Sequence, residues 1–155
     1  MLLRNAFALL NRLLPTEEAF AHCDIPCGIY DPTPAKIAAD TVAKMVEKIN
    51  QLPANATDAT TRGNFVRMIA VKEEHAQICK KELEILWSDY FKPEHLEKVP
   101  NLHELFWNAT KQVSKVKAST DAADSQKLLD LIDEVDAAWK ATGGNDKTRV
   151  AGRPA

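Results

Sequence analysis

Two cysteines and a histidine stand together in HCDIPCGIYDP, residues 22–32. Cys23 and Cys27 enclose three residues, enough backbone for both sulfurs to reach one metal, and Pro26 and Gly28 suit a tight, hook-like turn. Thiolates are soft ligands, fit for zinc, copper(I), an iron–sulfur cluster or a low-spin nickel centre. A structural zinc site needs a second ligand pair elsewhere, and His75, His95 and His103 do not supply one. The C-x-x-x-C spacing, with no βαβ pattern around it, also departs from the C-x-x-C of thiol oxidoreductases. His75 and Cys79 stand four apart on a helical stretch, a weak metal signal by itself, and Cys79 reads as a packing residue.

The rest of the chain must hold this cluster in place. Its 155 residues suffice for one domain, and 45% apolar with 27% charged residues is the mixture of a globular protein with no bilayer span. A net charge of -2, spread along the chain, leaves no basic stripe for a nucleic acid. Three cysteines cannot all pair with one another, and Cys79 lies in the charged run EEHAQICKKE, which points to a reduced, cytoplasmic compartment.

Residues 1–21 read as a leader ending in A-F-A. Arg4, Asn5, Asn11 and Arg12 confine its longest apolar run to residues 6–10, too short for secretion, and Leu3, Phe7, Leu10 and Leu14 share one side of a short amphipathic helix ending at Pro15, the alternative being a first helix of the fold. Thr33 is a candidate cap, with Pro34 opening a helix that runs to about Leu52 and buries Ile37, Thr41, Met45 and Ile49 beside Val42 and Val46.

A polar linker to about Thr60 precedes a long helix over residues 62–88, with Phe65, Ile69, Ile78, Leu83, Ile85, Leu86 and Trp87 apolar and the Lys/Glu run 72–84 in water. Pro93 and Pro100 bracket a short helical turn. Asn101 caps a helix with Leu102, Leu105, Phe106, Ala109 and Val113 on its inner face, and Trp87, Trp107 and Trp139 read as core or interface anchors. Asp121 or Asp124 opens the last helix, with Leu128, Leu129, Ile132, Val135, Ala138 and Trp139 at three- and four-residue spacing until Gly143-Gly144. The expected fold is all-α, a four-helix bundle over 33–142 with a metal-binding hook at 22–32, a leader at 1–21 and a mobile tail at 143–155.

HCDIPCGIYDP resembles the amino-terminal hook of the nickel-containing superoxide dismutases, and WSDYFKP, residues 87–93, resembles that family's second motif. The resemblance implies cleavage by a maturation peptidase immediately before His22. It implies one Ni(II)/Ni(III) ion per subunit, bound in a plane by the His22 amine, the Cys23 amide nitrogen and the Cys23 and Cys27 thiolates, with the His22 imidazole axial in the oxidised state. Tetragonal nitrogen and sulfur donors suit nickel(II), and anionic thiolate and amidate bring nickel(III) within reach.

The implied reaction disproportionates superoxide to dioxygen and hydrogen peroxide. By the same resemblance, Tyr30 and Tyr90 order water or an anion beside the open axial face, Asp24 fixes the loop and its tyrosine, the Ile25-Pro26 bond is cis, and Lys92 attracts superoxide. The family's glutamate and arginine behind the axial imidazole correspond to Ala38 and His75, so His75 is the candidate substitute. A homohexamer is implied too, and a short hook with little core of its own gives oligomerisation a physical motive. The alternatives are a non-enzymatic nickel- or zinc-binding helical protein for storage or delivery, and a plain helical interaction module with incidental cysteines.

Overall fold

The computed structural model describes residues 29–55 and 57–144. The leader, the hook as far as Gly28 and the tail beyond Gly144 lie outside them, as does the expected cis Ile25-Pro26 bond. Four long helices carry the fold, α1 (Thr33–Asn50), α2 (Ala59–Ile85), α3 (Leu102–Ala118) and α4 (Ala122–Ala141), and no strand occurs among the described residues. α1 packs on α2 and α4, and α3 packs on the same two helices, which closes a four-helix bundle. No helix among the described residues is long and apolar enough to cross a membrane.

Helix starts follow short polar side chains. The Asp31 carboxylate, rather than Thr33, caps α1, accepting the Thr33 N–H at 2.8 Å and the Thr33 hydroxyl at 2.6 Å. Asp58 accepts the Thr61 N–H at 2.7 Å, so α2 begins three residues before the position that apolar spacing indicates. Asp121 accepts the Ala123 N–H at 2.9 Å and opens α4 as expected. Asn101 stands at the start of α3 without a side-chain capping bond, which corrects its expected role.

Two buried faces differ from the expected ones. On α1 the inward residues are Ala35, Ala38, Ala39, Val42, Val46 and Ile49, whereas Ile37 is 60% exposed. Alanines let neighbouring helices approach closely, and a reading weighted toward large side chains overlooks them. On α2, Phe65, Val66 and Ile78 are exposed, while Lys72 is 1% exposed in the middle of a run expected to be solvated. Its ammonium donates to the carbonyls of Val116, Lys117 and Ser119 at 2.6, 2.7 and 2.9 Å. These belong to the last turn of α3, whose carbonyls have no partner within the helix. The expected inner face of α3 is buried throughout, and Cys79 is packed in the core. Trp139 is buried, but Trp107 is exposed and is no core anchor.

α4 ends in a Schellman motif. The Gly144 N–H donates to the Trp139 carbonyl at 2.9 Å and the Gly143 N–H to that of Lys140 at 3.2 Å, with Gly143 at φ 107°. A Cβ on Gly144 would collide with the Trp139 ring. Gly144→Ala is therefore expected to lower stability by about 1–3 kcal/mol through overpacking, read as a lower urea midpoint at unchanged slope.

Candidate metal centre

Three chain segments converge at one end of the bundle: the entry to α1, the exit from α2 and the end of α4. α2 does not continue to Ser88 as a regular helix; Leu86–Tyr90 form a π turn, with the Phe91 N–H donating to the Leu86 carbonyl at 3.2 Å. The wider turn re-aims the side chains after it, a device frequent at functional sites. It places the Tyr90 ring 5.8 Å from the Tyr30 ring and 6.4 Å from that of Trp139. The Tyr90 hydroxyl lies 3.3 Å from Thr142 Oγ1 and 3.4 Å from the Trp139 carbonyl oxygen. Because Thr142 Oγ1 has the Ala138 and Trp139 carbonyls to donate to, each at 3.0 Å, it can accept the Tyr90 proton.

The seam between α1 and α4 is tied by charge. Lys36 bridges to Asp133 at 2.9 Å and Asp136 at 3.4 Å, and Lys140 reaches Asp136 at 2.6 Å. Burial alone would raise the Asp136 pKa, but the hydrogen bond from Lys140 and the charge of Lys36 outweigh it and hold the carboxyl below its usual value. The hydrogen bond that Lys36 donates to Asp133, with the charge of both carboxylates, raises the Lys36 pKa against a smaller opposing effect of burial.

Of the residues expected at the site, His22, Cys23, Asp24 and Cys27 lie outside the described residues. Tyr30 and Tyr90 are brought together half-buried, and Lys92 follows them on the surface. His75 is half-buried on α2, with Nδ1 enclosed and without a hydrogen-bond partner among the described residues. Ala38 is buried on α1, which packs against α2.

The donor chemistry can be narrowed. Cys79 is fully buried in the core, where desolvation pushes its thiol up to about 12, and it packs there as an apolar side chain. Among the described residues no group of three His, Cys, Asp or Glu side chains could hold a metal ion. The chain's other two cysteines are Cys23 and Cys27, and by residue type these thiols and the neighbouring His22 are nitrogen and sulfur donors of the kind that suits nickel. A cavity of about 440 Å³ lined by Ile49, Leu52, Arg62 and Phe65 lies at the opposite end of the bundle and has no part in this arrangement.

Two residues at this end escape sequence reasoning. Thr142 engages Tyr90 across 52 positions, and no local pattern signals it. The His95 ring lies tilted against that of Tyr90 and accepts the Lys92 N–H, and its signal is the three-residue offset from Lys92 across Pro93. Residues 17–142 match the sequence profile of the family described as nickel-containing superoxide dismutase.

The chain belongs to that family. It is 44% identical over 129 residues to the nickel superoxide dismutase of Streptomyces seoulensis, covering 83% of this chain and 93% of that protein. The Streptomyces coelicolor enzyme is 43% identical over 131 residues at the same coverages. Among solved structures, nickel superoxide dismutase with the nickel ligation of the oxidised state superposes at a TM-score of 0.68 with 43% identity, covering 80% of this chain and all of that one. A native nickel superoxide dismutase gives 0.67 with 41% identity over 78% of this chain and 98% of the other. Membership makes the chain an oxidoreductase acting on superoxide, with nickel as its metal, carried on the expected four-helix bundle.

Proposed function

We propose that superoxide is dismutated at one nickel per subunit, held by His22, Cys23 and Cys27 after residues 1–21 have been removed. The observation that carries the reading is the contact between Tyr30 of the hook motif and Tyr90 of WSDYFKP, at 5.8 Å between ring centroids. Tyr30 and Tyr90, one from each motif, meet at one end of the bundle, where a hook entering at Ile29 would lie. Nickel, when bound, supplies the one-electron couple by which two superoxide anions and two protons become dioxygen and hydrogen peroxide.

The chain supplies donors and a setting. Cleavage before His22 frees an amine, a far better donor than the planar amide it replaces. Asp24 fixes the hook and its tyrosine. The hydroxyls of Tyr30 and Tyr90 order water or an anion, and Thr142 Oγ1 holds the Tyr90 hydroxyl against the end of α4. Lys92, exposed beside them, attracts the anionic substrate. The enclosed Nδ1 of His75, without a partner among the described residues, supports its role as hydrogen-bonding partner of the His22 imidazole, directly or through a water, since buried polar atoms require partners. Maturation by a peptidase, residence in the cytoplasm and assembly as a homohexamer complete the reading.

The test compares superoxide consumption by protein beginning at His22, loaded with nickel, with that of the nickel-treated full-length chain. Activity confined to the trimmed protein is expected. Inactivity of both despite stoichiometric nickel would replace the reading by metal storage or delivery.

A further inference from the structure

The order Lys92-Pro93-Glu94-His95 folds back on itself at the edge of the tyrosine pair. Proline holds the residue before it in extended backbone, and Lys92 has φ -125° and ψ 161°. The 3₁₀ turn Pro93–Glu97 then returns His95 to Lys92. The His95 N–H donates to the Lys92 carbonyl at 2.9 Å, and the Lys92 N–H donates to His95 Nδ1 at 3.2 Å. Both backbone polar groups of Lys92 are thereby tied to one residue. The same imidazole lies 5.6 Å from the Tyr90 ring and meets Phe91 edge-on at 5.8 Å.

We propose that His95 is the positioning residue of the substrate-facing motif: it accepts the Lys92 amide at Nδ1 while its ring packs on Tyr90, and so sets where the Lys92 ammonium leaves the surface. The inference rests on the reading of Lys92 as the group that attracts superoxide. A lysine stem is long and flexible, so the placement of its charge depends on the backbone from which it springs. Attraction of a small anion decays within about 8 Å at physiological ionic strength, so a wandering ammonium loses much of its influence on the encounter. Accepting at Nδ1 also puts the proton of a neutral His95 on Nε2.

The experiment uses the nickel-loaded protein beginning at His22 and reads kcat/KM for superoxide against ionic strength in wild type, Lys92→Gln, His95→Ala, His95→Phe and His95→Asn. Exchange of the Lys92 amide hydrogen is followed in the same samples. His95→Ala and His95→Phe are expected to lose about three- to tenfold in kcat/KM at low salt, to flatten the salt response toward that of Lys92→Gln, and to speed Lys92 amide exchange. His95→Asn places an amide oxygen where Nδ1 was and is expected to restore most of the salt response and the protection, a rescue that ring packing alone cannot produce.

A wild-type salt response in His95→Ala, when Lys92→Gln has lost it, overturns the proposal. Unchanged Lys92 amide exchange in His95→Ala overturns the hydrogen bond as the device. A wild-type salt response in Lys92→Gln overturns the attraction role of Lys92 itself, and the His95 proposal with it.

Discussion

Replacing Cys23 and Cys27 together by serine is expected to abolish stoichiometric nickel binding and superoxide turnover, whereas Cys79→Ala keeps both. A serine hydroxyl does not ionise near neutral pH and is a hard donor, so neither the anionic charge nor the softness of a thiolate survives the change. Cys79 differs in kind: it is fully buried, burial pushes its thiol up to about 12, and no metal can draw on it without opening the core. Removing its sulfur leaves a small cavity and costs about 1 kcal/mol of stability, with no effect on the metal. Nickel per subunit, counted by elemental analysis beside the superoxide assay, checks both halves. Nickel retained at full stoichiometry in the double serine variant would move the centre away from the hook.

Lys72→Met is expected to be among the most destabilising single changes in the bundle, by roughly 3 kcal/mol. Methionine keeps most of the volume, so the loss is chiefly electrostatic. Replacing a buried ion pair by apolar residues is often neutral because both charges leave together. Here, beside a longer ion pair to the partly exposed Glu73 at 3.7 Å, the close partners are neutral carbonyls of Val116, Lys117 and Ser119, and they remain after the ammonium is gone. The Val116 carbonyl makes a buried bond, so its desolvation goes uncompensated, while water can reach the other two. Burial lowers the Lys72 pKa against the opposing charge of Glu73, as expected for a desolvated ammonium, and the three carbonyls are what hold the charge there. Urea unfolding of wild type and variant at one pH measures the difference. A difference under about 1 kcal/mol would mean that the end of α3 finds water instead, and that Lys72 is only covered, not required.

What could be read from the chain alone was whatever covalent neighbourhood determines. The spacing of Cys23 and Cys27 limits what they can bind together, because three intervening residues restrict the sulfurs to one small region in any fold. The inner faces of α3 and α4 were legible for a similar reason: Leu102, Leu105, Phe106 and Leu128, Ile132, Val135 are large, apolar and spaced at the helical period. The end of α4 at Gly143-Gly144 was legible because the turn that stops the helix needs a positive φ, taken here by Gly143, which glycine adopts without strain.

Tertiary structure decided what periodicity misjudges. Ile37 faces out and Ala38 faces in because close helix contact favours small side chains over hydrophobic ones. Lys72 is inside because the carbonyl end of α3, more than forty residues later in the chain, needs a donor. The pairing of Tyr30 with Tyr90, the hold of Thr142 on Tyr90 and the fold-back of His95 onto Lys92 and Tyr90 depend on a π turn that no local pattern announces. Sequence by itself determined which donors the chain offers a metal and that helices carry them, since both follow from residue type and near-neighbour spacing. Only the packed bundle decided which distant side chains meet beside those donors, because that depends on how four helices share one core.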